Sequence, residues 1–138
     1  MYDVADGVEE DNDKALKYYK KAGELGDYSA IYNIGVMYDD GDGVKKDFKT
    51  AHQYYRDAAV NGLGSAQLNL GYQYLNGEGV GKDYVRGYVW TAMADAQETE
   101  NGAENLEIVT DMLSKKKLKI AKETATRCLA SNYEDCDP

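Results

Sequence analysis

Residues 66–83 read AQLNLGYQYLNGEGVGKD, and this stretch decides the fold. Ala66, Leu70 and Tyr74 fall at i, i+4 and i+8, one face of a helix. Gly71, beside Leu70, lets a partner helix approach closely. Asn76-Gly77-Glu78-Gly79 then breaks the helix, because Gly admits the positive φ that a tight turn needs. The same signals recur along the chain. Gly7-Val8, Gly43-Val44 and Gly79-Val80 stand 36 residues apart, as do Asp11, Asp47 and Asp83. Ala22, Ala58 and Ala94 keep the step, and so do Asn33, Asn69 and Asn105, and the aliphatic set Ile34, Leu70 and Leu106. In-phase matches at this spacing are the signature of stacked helical hairpins.

Each unit has a second helix. After Asp47, the residues Ala51, Tyr54, Tyr55 and Ala58 fall at i, i+3, i+4 and i+7. Asp47 is placed to cap its start, and Asn61-Gly62 to stop it. The expected fold is all-α, a right-handed α-solenoid of antiparallel helix pairs forming one domain over residues 1–138. Repeats are expected over about 6–41, 42–77 and 78–113, then a capping helix over 114–130 and a tail over 131–138. Met1-Tyr2 stand one step before Met37-Tyr38. Residues 1–5 therefore read as the end of a first helix whose body lies upstream in a longer protein.

The composition fits a rigid stack. The chain has 138 residues, 43% apolar, enough for a core. It has 14 Gly and one Pro, the terminal Pro138, so the corners are turned with Gly. A net charge of −9 argues against nucleic acid, which attracts a positive surface. No apolar run is long enough to cross a bilayer, and no leader peptide is visible. Cys128 and Cys136 are eight positions apart. They close a small loop or stand as two reduced thiols.

Ala66, Leu70-Gly71, Tyr74, Gly77-Glu78-Gly79-Val80 and Asp83 together resemble the SEL-like repeat family, a relative of the tetratricopeptide repeats. The resemblance covers roughly residues 1–97 and then decays, with Glu98, Gly102, Glu107 and Thr110 at the turn Gly, Ala, Gly and Tyr positions. It implies a non-catalytic protein–protein interaction module without cofactor or metal. Bacterial members serve as periplasmic assembly scaffolds, signalling adaptors or immunity proteins. Some bridge adjoining helices with Cys at this spacing, which implies a Cys128–Cys136 disulfide and a periplasmic or secreted location, with a cytoplasmic chain as the alternative. In the related tetratricopeptide stack, first helices line the concave face. Register then makes Ser29, Tyr32, Val36, Asp39, Ser65, Leu68, Tyr72, Leu75, Glu104 and Ile108 the candidate partner-binding residues. The expected partner is another protein, with a basic surface that the acidic chain would steer. A monomer is the favoured state.

Other constellations read as structure. Gly41-Asp42-Gly43 and Gly77-Glu78-Gly79 follow helices and lack the third Gly of a dinucleotide loop. Asp39-Asp40-Gly41-Asp42 lacks the spacing of a calcium loop. His52 has no partner at ligand or triad spacing. Ser114-Lys115-Lys116-Lys117 fits the Ser-x-x-Lys motif of penicillin-recognising enzymes, and a few SEL-like proteins are linked to β-lactams. The companion motifs are missing, so Ser114 reads better as a helix N-cap. A β-lactam-binding protein using Ser114 remains the rival function, and a structural spacer in a longer solenoid is the third. Tyr18, Tyr19, Tyr38, Tyr54, Tyr55 and Tyr74 are expected mostly in the core. Residues 95–111 hold six acids and no base, and the lysines from Lys115 to Lys122 follow. Two complementary solvated helices are one reading of that asymmetry, and a partner surface is the other.

Overall fold

The structure is a computed structural model that describes the backbone of residues 4–138 and the side chains of residues 11–138. The described residues form helices and no strand: α1 Val4–Glu24, α2 Tyr28–Asp40, α3 Phe48–Val60, α4 Gly64–Asn76, α5 Tyr84–Ala96, α6 Gly102–Met112 and α7 Lys115–Ala130. From α1 to α6, each helix packs on the next, and α7 lies against α5. This neighbour-by-neighbour stacking is an α-solenoid.

The ends of the helices are set by the residues that the repeat singles out. The Asp47 carboxylate accepts the N–H groups of Lys49 and Thr50, at 3.1 and 3.2 Å. Asp83 accepts from Arg86 N–H at 3.0 Å, and Ser114 Oγ from Lys117 N–H at 3.2 Å. Gly41 and Gly77 end α2 and α4 in the left-handed region, at φ +74° and +68°. At Gly71, α4 crosses α5 so closely that a Cβ would lie 2.7 Å from Thr91 Oγ1 and 3.1 Å from the Gly87 carbonyl. Around these crossings Ile34, Ala51, Tyr55, Ala58, Leu70, Val89, Trp90 and Met93 form the core. Small Ala and Gly at the contacts let such large side chains fill the gaps.

Three expectations need correction. The repeat phase puts a turn at Gly7-Val8 and a helix start at Asp11, yet α1 runs unbroken from Val4. Ala5 stands where Gly41 and Gly77 turn left-handed, and a Cβ disfavours that conformation, so the helix continues. Met1-Tyr2, read as part of an upstream helix, lie outside the described residues. Second, Tyr18, expected in the core, is 68% exposed. Tyr54, one step after Tyr18, stacks on Tyr38 with rings 5.9 Å and 6° apart. By register, Tyr2 is the counterpart of Tyr38 in the sequence and lies outside the described residues. Third, the acidic α6 and basic α7 do not pair as complementary helices: α7 packs on α5, and no ion pair joins α6 to α7 among the described residues. Leu113-Ser114 alone connect them, in place of the Gly-rich connector of residues 41–47.

The C-terminal tail is clasped. Cys128 and Cys136 form a disulfide, and both are buried. Arg127 Nη2 donates to the Asp137 carbonyl at 2.9 Å, and Arg86 Nε to Asp137 Oδ1 at 3.4 Å. The tail is thereby tied to both α7 and α5.

Candidate functional site

In α2, α4 and α6 the same register positions recur at the repeat step. Val36, Tyr72 and Ile108 are in register, as are Asp39, Leu75 and Asp111, and Asp40, Asn76 and Met112. Between α4 and α6 this face opens into a groove of about 240 Å³. Leu68, Tyr72, Leu75 and Asn76 form one wall, and Asn105, Ile108, Val109 and Met112 the other, with Thr91 of α5 at the base. On α4, Leu68, Tyr72 and Leu75 fall at i, i+4 and i+7, and on α6 Ile108 and Met112 fall at i and i+4, so each wall is a helix ridge. Tyr72 is 56% exposed, Ile108 54% and Met112 43%. Large apolar side chains are thus left open in one concavity. The volume falls below the ~300–1,000 Å³ of ordinary small-molecule pockets, which suits side-chain anchors.

Four residues expected on register, Leu68, Tyr72, Leu75 and Ile108, come together here. Ser29, Ser65 and Glu104 are exposed but do not line the groove, and Val36 is half-buried against the core. Tyr32 and Asp39 are held by the fold. The Tyr32 ring lies 5.7 Å from that of Tyr55, and its hydroxyl accepts from Asn69 Nδ2 at 3.3 Å. Tyr55 Oη donates to Asp39 Oδ2 at 2.8 Å. Burial, and then the Asp39 hydrogen bond, push the Tyr55 phenol far above its ordinary 10.0. These contacts rigidify the α2–α3–α4 end and leave the α4–α6 end open. Asn76, Thr91, Asn105, Val109 and Met112 were not expected in the groove. Met112 lies four residues after Ile108, so helical spacing alone points to it.

The remaining candidates have structural partners. His52 Nδ1–H donates to Gln73 Oε1 at 3.0 Å, because Gln73 Nε2 donates to the Phe48 carbonyl at 3.3 Å. Burial is the main cause that holds the His52 imidazole below its ordinary 6.5. Ser114 Oγ is engaged in its cap. Among the described residues no group of His, Cys, Asp and Glu is arranged to hold a metal, and no helix is long and apolar enough to cross a membrane.

The Sel1 repeat family model matches residues 1–27, 29–63 and 64–94. The chain belongs to the Sel1 repeat family. Its matched units 29–63 and 64–94 pair α2 with α3 and α4 with α5. Among solved structures, one similar chain is c5321, a protective antigen present in uropathogenic Escherichia coli strains and displaying an SLR fold, with 32% identity and a TM-score of 0.83. That match covers 91% of this chain and 28% of the other. A Sel1 repeat protein from Oxalobacter formigenes is similar at 31% identity and a TM-score of 0.61, over 74% of this chain and 44% of that one. The chain thus spans less than half the length of either. The comparison with curated proteins finds no match. Sel1 repeats are generally protein-interaction modules and typically non-catalytic scaffolds.

Proposed function

We propose that this Sel1 solenoid binds another protein through the inner groove between α4 and α6. The observation that carries the reading is the grouping of Tyr72, Ile108 and Met112, each about half exposed, around an apolar concavity. Interface anchors are typically aromatic and aliphatic side chains that become buried only on binding. The Tyr32–Tyr55–Asp39 contacts support the reading from the other side, since they hold the scaffold of the groove in one shape before the partner arrives. The role is that of a scaffold, adaptor or immunity-type protein. The Cys128–Cys136 disulfide supports an exported chain, because such bonds persist in oxidising compartments.

The test is capture of proteins from the source organism by the intact chain and by Tyr72→Ala/Ile108→Ala. A partner retained by the former and lost at least about ten-fold by the latter agrees with hot-spot behaviour. Equal retention by both chains contradicts it. Ser114→Ala is expected to leave capture unchanged, and covalent labelling by a fluorescent penicillin that this substitution abolishes would point to the β-lactam rival.

A further inference from the structure

We infer that the occupant of the groove is a helix of the partner with apolar anchors on one face and lysine or arginine along one flank, and that this cationic flank turns toward α6. The inference rests on the groove reading above and adds chemistry and orientation to it.

The two walls differ in charge. α4 carries no charged residue along its whole length. α6 carries Glu104, Glu107 and Asp111, all exposed and none in an ion pair among the described residues. Glu104 lies four residues before Ile108 and Asp111 three after it, so both flank Ile108 on its own face. The chain has cations close by in sequence, from Lys115 to Lys122. They sit on α7, which packs against α5, and none of them forms an ion pair with the α6 acids. Helix α6 therefore carries exposed acids beside the largely apolar lining of the groove. An incoming cationic flank is attracted there, and an acidic one is repelled.

The walls also favour a helix over an extended segment. Leu68, Tyr72 and Leu75 form one helix ridge, and Ile108 and Met112 the other. A furrow between two such ridges accepts the ridge of a third helix. The space of about 240 Å³ suits a side-chain anchor or two from that ridge.

The probes are two synthetic amphipathic helices with the same leucine face, one flanked by lysine and one by glutamate. Their binding to the whole chain is read by fluorescence anisotropy. The lysine helix is expected to bind at least about ten-fold tighter, with an advantage that shrinks as salt rises. Ile108→Asp and, separately, Tyr72→Ala are expected to weaken both helices, at unchanged circular dichroism. Replacing Glu104→Gln, Glu107→Gln and Asp111→Asn together is expected to bring the two helices within about two-fold of each other. Equal binding of the two helices to the native chain overturns the charge assignment and leaves the groove reading standing. Lysine-helix binding that ignores both Ile108→Asp and Tyr72→Ala overturns the inference and the groove reading together. Equally tight binding of a proline-interrupted lysine peptide overturns the helical occupant. Failure of the lysine helix to bind overturns the inference, while partner capture judges the groove separately. A chain that self-associates through the groove and excludes the peptide overturns it in favour of a second copy.

Discussion

Tyr55 shows how a single residue ties neighbouring helices together. Its ring fills the space that Gly35 leaves, where a Cβ would lie 2.7 Å from the ring, and its hydroxyl reaches Asp39. Tyr55→Phe is expected to cost about 1–2 kcal/mol in urea unfolding, because Asp39 loses its donor. His52 gives a pH signature. Its folded pKa is lowered, so the stability it contributes is present above 6.5 and is lost as pH falls through the folded value. The melting temperature of the native chain is expected to decline below pH 6.5, and His52→Gln to remove that part of the decline. Glu98 tests the decayed repeat. It takes φ +56° at the turn position where Gly26 and Gly62 take +93° and +92°. Glu98→Gly is expected to stabilise the chain by up to about 1 kcal/mol, since Gly meets no Cβ penalty there. The recurring Gly was legible in the sequence. The Tyr55–Asp39 bond was not, because it depends on the reach of a side chain between two helices.

At the scale of the element, helix ends and crossings carry most of the specificity. Gly71→Ala places a Cβ against Thr91 Oγ1 and the Gly87 carbonyl at the α4–α5 crossing. It is expected to cost about 1–3 kcal/mol, as overpacking does. Gly81→Ala meets nothing within 4 Å and is expected to be close to neutral by the same denaturant titration. Helices α2, α3, α4 and α5 were legible because apolar spacing agrees with their end signals: an Asp caps α2, α3 and α5, and a Gly follows α2, α3 and α4. The break expected in α1 is absent although Gly7-Val8 and Asp11 keep the repeat phase, because Ala5 stands in place of the first Gly of the turn. The groove was legible in part: register placed Leu68, Tyr72, Leu75 and Ile108, which line it, while Met112 follows only from its spacing to Ile108 in a repeat whose Gly and Tyr landmarks are gone.

Across the whole molecule, stability is shared between neighbouring helices, so the ends need their own fastening. The C-terminal end has the Cys128–Cys136 disulfide and the Arg127 and Arg86 contacts to Asp137. Replacing both Cys by Ser is expected to cost about 2–3 kcal/mol and to raise hydrogen exchange first in residues 129–138. The charge pattern follows the same division, with acids on α6, lysines on α7 and a neutral α4 between the core and the groove. The central claim is that partners enter from the inner face. The most direct measurement is photo-crosslinking in cells, with the reactive side chain placed in turn at Tyr72, at Ile108 and at Gln53, which is exposed on α3. The account predicts one shared adduct from Tyr72 and Ile108 and none from Gln53. An equal adduct from Gln53, or adducts from Gln53 alone, would contradict it.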